Sequence, residues 1–212
     1  MQSSKFNLRS IVLVAMFLAI AIVVDLVTNI IPGLNLSMPF GGKLFNLSLL
    51  PIILIGILLG PFYGLIGAII YGVFSFFIDG YGLVYFTQDL SQALLVFILD
   101  YVIAFGALGL SGFFKKSLEK PIYLVMTITI VLLLRFVSST IVGALLWVGF
   151  ASGDEWASNL LNSVGNNALI YSSIYNIIYT ITTIISLSII SVLMFKQLKN
   201  IKEHFHSLFT AN

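Results

Sequence analysis

The chain has 212 residues, of which 59% are hydrophobic and only 8% are charged, and its formal net charge is +2. Soluble domains carry about 25% charged residues, so this composition excludes a soluble protein and predicts an all-α integral membrane protein. The absence of cysteine excludes disulfides, thiol catalysis and thiolate metal sites.

Hydropathy predicts six transmembrane helices that form a single membrane domain over residues 1–212. No small-residue cleavage site follows the first apolar run, so that run is predicted to be a retained helix and not a signal peptide. Gly60 and Pro61 separate the second and third spans, because glycine is typical of a helix end and proline of a helix start. The alternative is that the second and third spans form one kinked span. The predicted spans are residues 8–31, 45–60, 61–79, 87–113, 121–150 and 168–196.

The basic residues predict the orientation of these spans. Eight of the ten fall in the N-terminus, the loop between the fourth and fifth spans, and the C-terminal tail, whereas the loops on the opposite side carry only Lys43. The positive-inside rule therefore predicts that both termini are cytoplasmic. The low charge and the high content of Ile, Leu and Phe fit a bacterial plasma membrane. The outer loops 32–44 and 151–167 are rich in Gly, Asn and Ser, which is typical both of binding lids and of solvated connectors.

Asp100 is the strongest candidate functional residue, because it lies inside an apolar segment, where an ionised carboxylate is costly. The alternative is a structural ion pair with Arg135, the only basic residue in the middle of another apolar segment, and the two interpretations are compatible. Tyr101 follows the acid directly. Gln92 lies eight residues before Asp100, which places it on roughly the same helix face.

Aromatic and amide side chains cluster at the outer ends of the last two spans. Trp147 ends the fifth span, and Tyr171, Tyr175 and Tyr179 form a stripe with a spacing of four residues, with Asn176 beside it. An interfacial aromatic belt is the alternative for the rings. A carboxylate with an indole, phenols and an amide suits a cationic aromatic ligand, because rings stack on and attract cations and an amide pairs with ring nitrogens.

The sequence contains no motif for catalysis. It has no His-Glu-x-x-His, Gly-x-Ser-x-Gly or Walker A sequence, and both histidines lie in the tail. We therefore predict that the protein is not an enzyme and that it uses no metal, cofactor or nucleic acid. In the first span, Ala15 and Ala19 have the small-x-x-x-small spacing that lets another helix approach closely, although internal packing explains it equally well.

Five segments carry a resemblance to a known family. They are Ser-Lys-Phe-Asn-Leu-Arg9, Gly-Gly-Lys-Leu-Phe-Asn-Leu-Ser-Leu-Leu-Pro51-Ile, Asp100-Tyr101 with the following Leu-Gly-Leu-Ser-Gly, Arg135-Phe through Gly143 to Trp147, and Tyr171-Ser-x-x-x-Asn176. In this order and spacing they resemble the substrate-binding S-components of energy-coupling factor (ECF) vitamin transporters, most closely the thiamine-specific members.

The resemblance implies a six-helix protein that binds one vitamin near the outer face of the membrane. It implies docking, through small residues such as Ala15 and Ala19, on a transmembrane coupling protein that carries two cytosolic ATPase subunits. The chain itself would not hydrolyse ATP.

The resemblance also implies which side chains bind the vitamin. Asp100 would contact the thiazolium ring of thiamine, and Tyr171 and Asn176 would hold the pyrimidine. Ser139 stands where the thiamine-binding members carry a histidine. The six implied substrate-binding residues are Asp100, Tyr101, Ser139, Trp147, Tyr171 and Asn176.

Three alternatives stay open at this point. The first is an S-component for another vitamin or precursor, such as a hydroxymethylpyrimidine, a pyridoxal-type compound or riboflavin. The second is a stand-alone secondary transporter or small channel that needs no ATPase. The third is a structural membrane subunit in which Asp100 serves assembly.

Overall fold

The structure, a computed structural model, describes residues 7–86 and 89–210. Over this part of the chain the fold is helical, with one isolated antiparallel bridge between Ser37 and Lys43 and no strand. Five helices are long and apolar enough to cross a membrane: α1 (Leu8–Ile30), α3 (Pro61–Asp79), α5 (Leu90–Phe113), α6 (Pro121–Leu145) and α8 (Ala168–Leu193). Four shorter helices complete the fold: α2 (Leu49–Leu59), α4 (Tyr81–Tyr85), α7 (Glu155–Ser163) and α9 (Phe195–Thr210).

The second predicted span differs most from its expectation. The sequence predicts a span over residues 45–60, but α2 has only 11 residues, which is about 16 Å of helix against a hydrocarbon core of ~30 Å. The chain before it is held in a turn, where the carbonyl of Leu44 accepts a hydrogen bond from the hydroxyl of Thr182 on α8. All residues from Leu49 to Ile57 are buried, so α2 lies inside the bundle and is surrounded by other helices.

The predicted helix break at Gly60 and Pro61 is confirmed. Gly60 has φ +93°, a conformation that glycine adopts without steric cost, and it ends α2. Pro61 occupies the first turn of α3, where its missing N–H has no helical partner to lose. The kinked single span is therefore wrong.

Glycines bring the backbones of α2, α3 and α5 into direct contact. A Cβ atom built on Gly64 would lie 2.6 Å from the carbonyl oxygen of Gly109 and 2.7 Å from the Cα of Gly56. A Cβ on Gly112 would lie 2.3 Å from the nitrogen of Pro61. Small residues are the usual means of packing helices in lipid, because close backbone approach maximises van der Waals contact where no hydrophobic effect operates between helices.

The other predicted spans begin or end at slightly different residues. The fifth span ends at Leu145 and not at residue 150, and a tight 3-10 turn over Trp147–Gly153 follows it. The sixth ends at Leu193, and the tail continues as the amphipathic helix α9. The fourth begins at Leu90 within the described residues, because the carboxylate of Asp89 accepts hydrogen bonds from the first free backbone N–H groups of α5. Residues 87 and 88 of that predicted span lie outside the described part.

Helix α1 packs on α2 and α3 with a narrow face and leaves most of its surface exposed. Its buried residues are only Ser10, Val14, Ala21 and Thr28. Ala15 and Ala19 lie on the exposed surface, so internal packing, the alternative reason for their spacing, does not apply.

Candidate functional site

One cavity gathers the polar and aromatic side chains from helices far apart in sequence. The space between its walls, including the part open to solvent, is about 830 Å³. Its walls are the loop before α2, the end of α3, the middle of α5, the second half of α6 and the first half of α8. All six predicted substrate-binding residues line it: Asp100, Tyr101, Ser139, Trp147, Tyr171 and Asn176.

A π-helical segment carries Asp100 and Tyr101 to the cavity. Within α5, residues Phe97–Ile103 are π-helical, and the N–H of Ala104 reaches the carbonyl of Leu99 five residues earlier. Such wide turns often mark functional sites in helices, because the extra residue re-aims the side chains around it. The carbonyl of Leu99 also accepts a hydrogen bond of 2.5 Å from the Ser138 hydroxyl on α6, which anchors this segment to its neighbour.

The carboxylate of Asp100 is held by two uncharged donors. The Ser139 hydroxyl donates to Oδ1 at 2.7 Å, and the indole Nε1–H of Trp147 donates to Oδ2 at 3.1 Å. Both donors leave the negative charge in place and orient it toward the cavity. The ion pair with Arg135, the alternative interpretation of Asp100, is not formed: the guanidinium lines the same cavity, but it lies over the Phe105 ring, with 4.8 Å between Cζ and the ring centroid. The serine and the indole instead each bind one carboxylate oxygen.

Asn176 is oriented by its own helix. Its Nδ2 donates to the Ser172 carbonyl at 2.8 Å and lies 3.1 Å from the Ser172 hydroxyl, while Oδ1 accepts from the phenol of Tyr179. These hydrogen bonds satisfy a buried amide that would be costly without partners. Gly143 on α6 makes the arrangement possible, since a Cβ there would lie 2.2 Å from Ser172 Oγ. One acceptor position on Oδ1 stays available for a ligand.

The loop before α2 covers the cavity and is fastened to α8. The phenol of Tyr175 donates to the carbonyl of Pro39 and accepts from the N–H of Gly42 at 3.3 Å. Phe40 adopts a left-handed conformation with φ +65°, and its ring packs edge-on against Tyr85 at 5.6 Å between centroids. A Cβ on Gly42 would lie 2.9 Å from the Tyr179 ring. No larger side chain fits there, and Phe40 supplies the aromatic surface of the loop.

Lys43 fastens the same loop to two other helices. Its ammonium group lies 2.8 Å from Oδ1 and 2.9 Å from Oδ2 of Asp25 on α1, and 3.7 Å from Oδ1 of Asp79 at the end of α3. The Ser48 hydroxyl lies 3.3 Å from Asp25 and accepts a hydrogen bond from Tyr71. Because Lys43 and Asp79 both line the cavity, this ion-pair cluster forms part of its wall.

A cluster of aromatic rings packs against Trp147. Its ring centroid lies 5.8 Å from Tyr85 and 5.1 Å from Phe86, and both of these rings also contact Phe150 edge-on. Edge-to-face contacts of this kind fix ring orientation. The indole N–H is thereby directed at Asp100.

Some sequence expectations lie away from the cavity. Gln92 is exposed and does not line it, because the π-helical segment between Gln92 and Asp100 changes the register that regular α-helical spacing assumes. The loop over residues 151–167 folds mostly into α7 and contributes no lining residue, although Trp156 approaches Tyr175 with 6.1 Å between ring centroids.

Other lining residues were not predicted as site residues. Tyr175 and Tyr179 belong to the predicted stripe, and the spacing of four with Tyr171 was the signal that pointed to them. Phe40, Lys43 and Asp79 had no local signal, since each reaches the cavity through a turn or a helix end.

The charges around the cavity favour a monocation. With every acid and base counted as ionised, Asp100, Asp79 and the adjacent Asp25 are opposed by Lys43 and Arg135, so the formal charge of the group is −1. A ligand with one positive charge neutralises it, and the surrounding rings add cation–π attraction. A chemically neutral ligand leaves the excess uncompensated in an apolar setting.

Comparisons with known proteins agree with this chemistry. A family described as thiamine transporter protein matches residues 11–203. The thiamine transporter ThiT of Bacillus subtilis (strain 168) is 30% identical over 205 residues, which cover 92% of this chain and 94% of that protein. A solved structure of ThiT from Listeria monocytogenes superposes with a TM-score of 0.66 and 18% identity, covering 93% of this chain and 99% of that one; this likeness concerns the fold. The family's members are transporters and not enzymes, and the match over most of the chain places it in the thiamine transporter protein family.

Proposed function

We propose that the protein is the membrane-embedded S-component of an ECF-type importer and that it binds thiamine near the outer face of a bacterial plasma membrane. The observation that carries this proposal is the cavity itself, where the Asp100 carboxylate faces a space walled by aromatic rings. Thiamine joins a permanently charged thiazolium to an aminopyrimidine, which are the two groups this wall suits.

The proposed pose assigns one ring to each side of the cavity. The thiazolium lies beside Asp100, whose charge is oriented by Ser139 and Trp147. The pyrimidine lies along α8, where Tyr171 and Asn176 offer a ring face and an amide oxygen. Uncharged donors on the carboxylate support this pose, because they leave its full negative charge for the ligand.

The proposed topology has six passes with both termini in the cytoplasm. The short α2, together with the loop folded over the cavity, serves as the second pass. Trp147 and Tyr171 lie near the end of α6 and the start of α8, on the side opposite the lysines of residues 115–120 and of α9. The positive-inside rule then places the cavity toward the outer face.

The proposed partners are a transmembrane coupling protein and two cytosolic ATPase subunits. The exposed Ala15 and Ala19 support docking on α1, because they leave a shallow surface that another helix can approach closely. ATP hydrolysis is assigned to the partners, and the chain supplies recognition of the vitamin.

Titration of the purified protein with thiamine in detergent tests the ligand. Trp147 and Trp156 are the two tryptophans, and one contacts Asp100 while the other lies beside Tyr175. We expect saturable quenching of tryptophan fluorescence at submicromolar thiamine. Riboflavin, pyridoxal and a bare aminopyrimidine serve as comparators. A response to a comparator and none to thiamine would reassign the vitamin, and no response to any of them in folded protein would refute the binding function.

Replacement of both small residues on α1 tests docking. The double variant Ala15→Trp/Ala19→Trp is expected to keep thiamine affinity within about twofold, since both side chains lie outside the cavity, and to lose at least ~90% of uptake by cells that also express the coupling protein and ATPases. Ile20→Trp adds bulk on another exposed part of α1 and is expected to retain uptake. Equal uptake by the double variant and the control would favour a stand-alone transporter.

A further inference from the structure

Arg135 lies in the cavity wall one helical turn before Ser139. Residues four apart share a helix face, so Arg135 lines the same cavity as Ser139, which donates a hydrogen bond to Asp100. The Cζ atom lies 4.8 Å from the centroid of Phe105 and 5.9 Å from that of Tyr179. These two rings attract the cation but accept no conventional hydrogen bond from it.

The guanidinium has no acceptor among the groups that the structure describes. Its Nε is buried without a hydrogen-bond partner, and no hydrogen bond or ion pair within that part of the chain involves Arg135. Arginine carries five N–H donors and cannot be deprotonated in a protein. A buried donor without a partner is costly, so this side chain gains from any oxygen that enters the cavity.

The carboxylates nearest to Arg135 are engaged by other groups. Asp100 accepts from Ser139 and Trp147, and Asp79 faces Lys43 at 3.7 Å. Both acids balance the charge of Arg135 across the cavity without supplying an acceptor at hydrogen-bond distance. A ligand oxygen that enters the cavity is therefore a suitable acceptor for this guanidinium.

Building on the proposed thiamine site, we infer that Arg135 binds the oxygen at the end of the side arm on the ligand's thiazolium ring. Along α6, Arg135 lies about 6 Å from Ser139, which matches an arm extending from a ring held at Asp100. The oxygen is an alcohol in thiamine and a phosphate in its esters, and an arginine fork binds either. The alcohol fits the charges better, because the thiazolium by itself neutralises the formal charge of the group and a phosphate would add about −1.5 to −2.

A double-mutant cycle between protein and ligand tests this inference. The ligands are thiamine and an analogue whose hydroxyethyl arm is replaced by ethyl, and the proteins are wild type and Arg135→Met. For wild type we expect the analogue to bind about tenfold more weakly, a difference of about 1.4 kcal/mol. For Arg135→Met we expect thiamine to weaken by about tenfold and the analogue to stay within about twofold, so that the preference for the oxygen disappears.

Thiamine monophosphate distinguishes the source of the oxygen. Weaker binding of the ester than of thiamine to wild type assigns the alcohol. Tighter binding of the ester that disappears in Arg135→Met assigns the phosphate and keeps the inference. Arg135→Lys retains the charge without the planar fork. It replaces Arg135→Met in the double-mutant cycle if that variant does not fold.

Equal losses for thiamine and the ethyl analogue in both variants would overturn the inference, because Arg135 would then act only on charge balance or packing. Failure of wild type to bind any thiamine compound would instead refute the proposed function. The two failures are therefore distinguishable.

Discussion

Replacing Asp100 with asparagine is expected to weaken thiamine binding by ~1,000-fold or more, about 4 kcal/mol. The substitution preserves size but removes the charge that the thiazolium requires. It also puts an N–H₂ group in place of one carboxylate oxygen, and the indole N–H of Trp147 cannot accept a hydrogen bond from it. Calorimetric titration is the suitable measurement, because the fluorescence of Trp147 reports on the altered residue itself.

Asp79→Asn is the matched control for this prediction. Asp79 lines the same cavity, but it faces Lys43, so its replacement changes the total charge equally without touching the proposed thiazolium position. We expect a loss of about tenfold or less. If Asp100→Asn bound thiamine within tenfold of wild type, the cation would not be matched at Asp100, and an uncharged vitamin would become the better ligand.

The second large effect concerns stability. Gly109→Ala is expected to destabilise the protein by about 3 kcal/mol or more, because the new Cβ would lie 2.5 Å from the carbonyl carbon and oxygen of Gly64 and 2.6 Å from the Cα of Leu65. All three atoms belong to the α3 backbone, which cannot swing aside as a side chain can. Separation of α3 from α5 would also disturb the π-helical segment Phe97–Ile103, which precedes Gly109 in α5. Thermal unfolding in detergent measures the effect.

Gly106→Ala is the matched control, one turn earlier in the same helix. Its new Cβ would meet only the Ile69 side chain, at 3.8 Å, which is ordinary contact. Alanine favours helix by up to about 1 kcal/mol over glycine, so this variant is expected to be as stable as wild type or slightly more stable. Similar destabilisation by both substitutions would mean that close packing at Gly109 is not what holds α3 against α5.

Features that depend on neighbours in the chain could be predicted from the sequence. Hydropathy and the residues that start or end a helix act over one or two turns, so the apolar helices and the break at Gly60 could be predicted. The position of Asp100 inside an apolar segment could be predicted from hydropathy. The stripe of Tyr171, Tyr175 and Tyr179 could be predicted from regular helical spacing along α8. The set of six site residues comes from the resemblance to the vitamin transporters; the structure brings them to one cavity, while their contacts with thiamine stay a prediction.

The contacts that join distant segments depend on the three-dimensional fold. Trp147 and Asp100 are 47 residues apart, and Lys43 and Asp25 are 18 apart, so no local pattern specifies either pair. The packing of neighbouring helices also sets three other features. These are the ring contacts of the Arg135 guanidinium, the burial of the short α2 and the register change in α5. A helical membrane protein with a polar, aromatic site can be predicted from the chain alone, because these properties follow from solvation and local geometry. How its charges pair cannot be predicted in this way, because pairing depends on proximity in three dimensions.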